Sequence, residues 1–335
     1  MKTKHHYTPQ FFKKLLRGSK DSAAQTVPLL LDILRPASVV DVGCGTAAWL
    51  LEFCKRGVDD VLGIDGEHIP EHLLKIPVSQ FLSVDLTCGF ELDRKFDLVL
   101  SLEVAEHLPE KSSERFVDSL ARLGDVILFS AAIPDQGGEG HMNEQWPEYW
   151  IDRFIRRGYR VSTCIRDAIW SNDEVEWWYA QNILLFYRVE ALNECPAPQK
   201  IVAPDFDSKF SLVHPRHYLH IKWVQRVLES ALDIVDVIPQ GNSFVLIDND
   251  QMGHEFEPKR HVIRLPENEN WYWETPPDED SAINAVKNLK SNGASHLVIA
   301  WPAYWWLDQR PILRRYLMSE FLLLLQNDRV LLFEL

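Results

Sequence analysis

One passage constrains this chain more than any other: VVDVGCGTAAWL at residues 39–50. An apolar, β-branched run ends in Asp41, a bend carries Gly43 and Gly45, and a helix-like stretch follows. Glycine tolerates tight turns and lets a ligand approach the backbone with no Cβ in the way. The helix beyond the bend offers free N–H groups. A bend of this kind belongs to open α/β sheets that hold a ligand at the carboxyl edge of their strands. A dinucleotide site would add a third glycine near position 48. Ala48 stands there, so the spacing disfavours a nicotinamide dehydrogenase.

The surrounding rhythm supports the same architecture. Val39–Val42, Val61–Ile64, Phe81–Val84, Phe96–Ser101 and Val126–Ser130 are short apolar runs of the kind found in parallel sheets covered on both faces. Helix-like patterns over Ala47–Arg56 and Ser112–Leu123 separate some of them, and Asp21–Leu34 reads as a helix stopped by Pro36. This alternation predicts a doubly wound, mostly parallel, Rossmann-like α/β sheet. With 335 residues the chain has room for about two domains. The proline-rich stretch 191–205 (ALNECPAPQKIVAPD) is the expected linker between a first domain, 1–190, and a smaller α/β domain, 206–335. In the smaller domain Leu219–Val235, Ser281–Leu289 and Leu307–Leu325 read as helices. Phe244–Ile247, His261–Leu265, His296–Ala300 and Val330–Leu335 read as its roughly four strands.

Acids recur where the strands of the first domain end. Asp65 closes the second strand, 20 residues after Gly45, and a carboxylate there offers two acceptor oxygens to a ribose. Asp85 closes the third, in FLSVDL, and the fourth runs into the acidic loop SLEVAEHLP. In this order and spacing, DVGCGTA, GIDG, SVDL and SLEVAEHLP resemble the motifs of the class I S-adenosylmethionine-dependent methyltransferases. The resemblance covers about residues 20–190. It implies that Asp41, Gly43 and Gly45 border the methionine part of S-adenosyl-L-methionine, and Glu103 is a further cofactor-binding candidate. It also implies that Asp65 holds the ribose and that Asp85 and Leu86 flank the adenine. Ala47 departs from a pattern that often has glycine there, at the cost of one methyl group.

Methyl transfer to a hydroxyl also needs somewhere for the hydroxyl proton to go, so a general base or a metal is required. Two segments supply candidates: Glu103, Glu106 and His107 after the fourth strand, and the glycine-rich loop GGEGHMNEQWPEYW at 137–150. His141, between glycines and polar residues, is the candidate base, with Glu106 and His107 beside it. Glu103, Glu106, His107 and His141 also resemble the divalent-metal set of the small-RNA 2′-O-methyltransferases, which would suit Mg or Mn. The alternative is that the EH pair braces a helix without metal.

Tryptophans beside Asn, Asp, Glu and Gln, as in WPAYWWLDQR at 301–310, line sugar clefts in some proteins and pack ordinary cores in others. The run His214, His217, His220 and the Asp248–Asp250 turn with His254 are weaker candidates for a ligand site. The net charge of −14 argues against a general nucleic-acid coat. Five cysteines without a CxxC pair fit a reducing compartment, and no apolar run spans a bilayer, so a cytoplasmic protein is expected. These features together predict methylation of a hydroxyl on a sugar, nucleotide-sugar or other small polar acceptor. The methyltransferase half followed by a WPAYWWLD-like tail also resembles uncharacterised bacterial two-domain methyltransferases, which implies glycan biosynthesis as the setting. A metal-dependent RNA 2′-O-methyltransferase and a non-catalytic binding protein on the same fold are the alternatives.

Overall fold

The computed structural model describes residues 9–67, 69–201, 209–249, 252, 262–263, 278–291 and 293–335. Lys2 and Lys4, linker residues 202–205, Asp250, His254, Trp271, Tyr272 and Trp273 lie outside them, as does most of the strand expected at His261–Leu265. The chain divides into two compact units, Met1–Tyr218 and Leu219–Leu335. That division falls beyond the stretch 191–205, whose Ala197 and Ile201 are buried, Ile201 in the core of the first unit.

The first unit runs α1 (Pro9–Ile33), β1 (Ser38–Val42), α2 (Ala48–Lys55), β2 (Asp60–Asp65), β3 (Phe81–Ser83), β4 (Leu98–Leu102), α3 (Ser113–Leu123), β5 (Val126–Ser130), α4 (Pro147–Ile155), β6 (Arg160–Ser162), α5 (Cys164–Ile169), α6 (Trp177–Asn182) and β7 (Leu184–Tyr187). Its seven strands lie in the order β3-β2-β1-β4-β5-β7-β6. All pairings from β3 across to β5 are parallel, and β7 runs antiparallel to both β5 and β6. Every residue of β1, β4 and β5 is buried, as expected of central strands covered on both faces. On one face Val39, Leu98, Leu100 and Leu128 pack with Leu30 of α1 and Leu50 and Phe53 of α2. On the other, Val40, Val99, Ile127 and Phe129 pack with Phe116 and Leu120 of α3 and with Trp150 and Phe154 of α4. Strand order reverses beside β1, since β2 lies on one side of it and β4 on the other. The carboxyl ends of β1 and β4 therefore flank the crevice where such sheets bind ligands.

The second unit contains most of α7 (Pro215–Val237), then β8 (Phe244–Ile247), β9 (Val262–Ile263), α8 (Glu279–Ser291), β10 (His296–Ala300), α9 (Tyr304–Asp308), α10 (Pro311–Glu320), β11 (Leu322–Gln326) and β12 (Val330–Glu334). Its five-stranded sheet has the order β11-β12-β10-β8-β9, parallel among β8, β9 and β10 and antiparallel at β12. The single helix expected over Leu307–Leu325 is instead two helices and a strand. Pro311 opens α10 in the first-turn position that proline tolerates, and Leu322–Gln326 pairs with β12 as a hairpin. A run of four leucines has no period to separate strand from helix, which is why the sequence pattern misassigned it.

Candidate functional site

The bend after β1 is built around two glycines with different jobs. Gly43 has φ +81°, and a Cβ there would come within 2.3 Å of Val104 Cγ2, so this position is small because β4's exit loop packs on it. Gly45 has φ +52° and nothing within 4 Å of where a Cβ would be, so its backbone is open to a ligand. Ala47, at the start of α2, is left-handed with φ 63°. That conformation explains why glycine suits the position. Alanine carries a cost there of roughly 1–2 kcal/mol.

Asp65, at the end of β2, organises this bend. One carboxylate oxygen accepts Gly45 N–H at 2.6 Å and the other accepts Gly66 N–H at 2.6 Å. Asp41 lies buried nearby. Burial first, and then the charge of Asp65, push its carboxyl up to about 7. Asp85 is exposed and its carboxylate closes its own turn, accepting Thr87 N–H at 2.9 Å and Thr87 Oγ1–H at 2.6 Å. Those bonds hold its carboxyl below the usual range. Leu86 is buried in the core beneath.

β4 delivers the second half of the crevice. Glu103 leaves the strand with φ 56°, unusual for a residue with a side chain. Its backbone N–H donates to Ser130 O and to Ser130 Oγ, both at 3.0 Å. Its carboxylate accepts Gln136 Nε2 at 2.9 Å and Asn182 Nδ2 at 3.0 Å. Burial raises the Glu103 carboxyl, against the opposing pull of those donors. Glu106 is fully buried, and among the described residues no side chain hydrogen-bonds either carboxylate oxygen. Burial, and then the charge of Glu103, push its carboxyl well above the usual range. Its backbone carbonyl accepts Met142 N–H at 2.9 Å and Asn143 N–H at 3.0 Å, which fixes the glycine-rich loop against β4.

That loop brings His141 to Glu106 and His107. One ligand atom from each of the three lies within 4.8 Å of the others. The rings of His107 and His141 meet edge to face with centroids 4.8 Å apart. Glu144 was not singled out as a site residue by sequence reasoning, although its place three residues after His141 could have suggested it. It accepts His141 Nδ1 at 2.8 Å, Gly137 N–H at 3.0 Å and Asp135 N–H at 2.9 Å. With Nδ1 so engaged, the other ring nitrogen is Nε2, which packs against Gly138, where a Cβ would lie 2.2 Å from it. Gln136, Gln181 and Asn182 were also missed. Isolated amides in a sequence carry no signal until the fold brings them together.

The other candidates separate from this cluster. His214 Nε2 meets Trp170 O at 2.8 Å and His217 Nδ1 meets Gln181 Oε1 at 3.0 Å, so both belong to the first unit's interior. Asp248 accepts the N–H of buried Met252. Trp150 and Trp306 are core residues.

The strand order with its reversed seventh strand, the open Gly45 and the acids at successive strand ends meet one further observation. Residues 16–178 match the family model described as a methyltransferase domain. This segment is a class I S-adenosylmethionine-dependent methyltransferase domain. No curated protein matches the sequence. Among solved structures, DesVI of Streptomyces venezuelae shares 16% identity over 56% of this chain and all of its own, with a TM-score of 0.40. The magnesium protoporphyrin IX methyltransferase ChlM of Synechocystis PCC 6803, with bound S-adenosylmethionine, shares 19% over 54% of this chain and 85% of its own (TM-score 0.38). The sugar N-methyltransferase KedS8 of Streptoalloteichus sp ATCC 53650 shares 14% over 53% and 91% (TM-score 0.42).

The methyltransferase domain fits its cofactor on its own geometry. S-adenosylmethionine carries positive charge on its sulfonium and its ammonium group, and two buried carboxylates flank an open glycine backbone. An Asp41 carboxylate that receives the cofactor's positive charge would make cofactor affinity pH-dependent. Below pH 7 Asp41 must release a proton before it can face a cation. Affinity should therefore rise roughly tenfold from pH 6 to pH 8, following a single titration near 7. Calorimetric titrations across that range should show the rise in the wild type and lose it in Asp41→Asn. A flat profile in the wild type would contradict the position assigned to Asp41. No described helix is long and apolar enough to cross a membrane.

Proposed function

We propose that the domain methylates a hydroxyl of a sugar, nucleotide-sugar or similar small polar acceptor. Asp41, Gly43, Gly45 and Glu103 would receive the methionine part of the cofactor, Asp65 the ribose, and the β3 exit at Asp85 and Leu86 the adenine. When bound, S-adenosylmethionine supplies the methyl group. The observation that carries the acceptor side is the meeting of Glu106, His107 and His141 at the carboxyl edge of β4, beside the cofactor crevice. His141 Nε2, oriented by the Glu144 bond to Nδ1, takes the hydroxyl proton. His107 and the pinned loop align the acceptor, and alignment contributes several kcal/mol to such a displacement.

A second reading is favoured by one specific feature, the carboxylate of buried Glu106, which no side chain among the described residues hydrogen-bonds. A buried acid so little supported is costly unless something neutralises it. A divalent cation held by Glu106, His107 and His141 would do so, and a carboxylate with two imidazoles suits Mn better than Mg, which prefers oxygen ligands. Glu103, expected as one of four ligands with His141 the fourth, instead has its carboxylate on Gln136 and Asn182.

The test is transfer of a labelled methyl group onto a panel of free sugars, nucleotide-sugars and small RNAs, with and without a chelator. The base reading expects a sugar product and full activity under chelation. Loss of activity that returns with added Mg or Mn would select the metal reading. Methylation of RNA alone would reject the acceptor class. Cofactor binding without transfer to any member would indicate a non-catalytic binding protein.

A further inference from the structure

Glu103 holds an unfavourable backbone conformation, and such strain persists only where the surroundings enforce it. Ser130 holds its backbone N–H, and a series of amide side chains holds its carboxylate. Gln181 Oε1 accepts His217 Nδ1 at 3.0 Å and His214 N–H at 2.8 Å. Gln181 Nε2 donates to Asn182 Oδ1 at 3.0 Å and to Gln136 Oε1 at 3.2 Å. Asn182 Nδ2 donates to Gln136 Oε1 at 2.9 Å and to the Glu103 carboxylate at 3.0 Å, and Gln136 Nε2 completes the pair on Glu103 at 2.9 Å.

Gln181 accepts from the start of α7 and donates to Gln136 and Asn182, and the amide nitrogens of Gln136 and Asn182 in turn reach the Glu103 carboxylate. Polar chains in a dry interior strengthen one another when every member is satisfied. Gln136, Gln181 and Asn182 are all buried. The His217 ring is itself fixed by stacking on Trp177, with centroids 4.4 Å apart and planes 14° apart.

Gln181, Asn182, His214 and His217 all lie after residue 178, where the match to the methyltransferase domain stops. Gln181 and Asn182 end α6, inside the seven-stranded unit, and His214 and His217 lie at the start of α7. We propose that Asn182, Gln181 and His217 are positioning residues that hold the Glu103 carboxylate in place to receive the cationic methionine end of the cofactor. This rests on the cofactor role proposed above for Glu103.

The test uses the full chain. Asn182→Leu keeps the side-chain volume and removes both donors. It should raise the KM for S-adenosylmethionine at least tenfold, with the acceptor KM within about twofold. His217→Phe keeps the ring on Trp177 and removes the Nδ1 donor, and it should raise the same KM about threefold. A role in folding alone would lower the melting temperature and the active fraction with the KM for the cofactor unchanged, and that result overturns the proposal. If Asn182→Leu does not fold, Gln136→Met in the loop repeats the measurement with the same criteria. Glu103→Gln separates the two ideas. If it weakens cofactor binding while Asn182→Leu, Gln136→Met and His217→Phe do not, the relay fails and the role of Glu103 stands. If it leaves binding intact, the role of Glu103 fails, and the relay fails with it.

Discussion

Asp65→Ala should lower the affinity for S-adenosylmethionine and S-adenosylhomocysteine at least 100-fold, read by isothermal titration. Two losses combine in this variant. The proposed acceptor for the ribose hydroxyls disappears, and so do the 2.6 Å bonds that hold the N–H groups of Gly45 and Gly66. Hydrogen bonds to a charged group contribute about 1.5–3 kcal/mol each. Two lost bonds therefore account for a hundredfold effect, which corresponds to about 2.7 kcal/mol. Asp65→Asn keeps one acceptor oxygen and should fall between the two. A circular-dichroism melt shows whether the alanine variant is folded when its affinity is measured. A folded Asp65→Ala protein with unchanged affinity would remove the ribose assignment.

The second large effect is expected at His141. His141→Ala should lower kcat roughly 100- to 1000-fold, the range that positioned acid–base groups supply, while cofactor affinity stays within about twofold. The separation follows from the geometry. His141 sits on the loop that hangs from the Glu106 carbonyl, whereas the groups assigned to the cofactor are Asp41, Gly45, Asp65 and Glu103, at the exits of β1, β2 and β4. The same loss of turnover is expected whether His141 removes the proton itself or helps to hold a cation, and the chelator experiment separates those two. Full activity in His141→Ala would reject both roles.

The first unit was largely legible in the sequence because its central strands are buried on both faces and its ligand crevice lies at strand ends. Val126–Ser130 and Phe244–Ile247 have the bounds their apolar runs suggest, and the other central strands of the first sheet differ by a residue or two. The short pairing of β6 with β7 left no comparable trace, because each contributes only three or four residues between helical turns. Four leucines at 322–325 satisfied a helical and an extended reading equally. Only the turn at Asn327–Arg329, where the Asn327 side chain accepts the N–H groups of Arg329 and Val330, makes them a hairpin.

The site was legible by halves. Motif spacing singled out Asp41, Gly43, Gly45 and Asp65, and it singled out the acids after β4 and His141. It could not reveal that Glu103 faces amides while Glu106 faces the histidines, because that depends on the left-handed turn at Glu103. It also could not reveal Glu144 behind His141 or the amides behind Glu103. Their partners lie as far as 79 residues away in sequence, as with Asn182 and Glu103. The HPRHYLH run shows the converse. Its spacing suggested ligands, but burial commits His214 and His217 to interior hydrogen bonds.

A crystal structure of the full chain with S-adenosylhomocysteine tests the central claim most directly. The expected result is the nucleoside in the crevice beside β1, with its ribose hydroxyls on the Asp65 carboxylate and its amino-acid end over the open backbone at Gly45, between Asp41 and Glu103. A crevice left empty at saturating ligand, or a nucleoside bound with Asp65 and Gly45 out of reach, would contradict it.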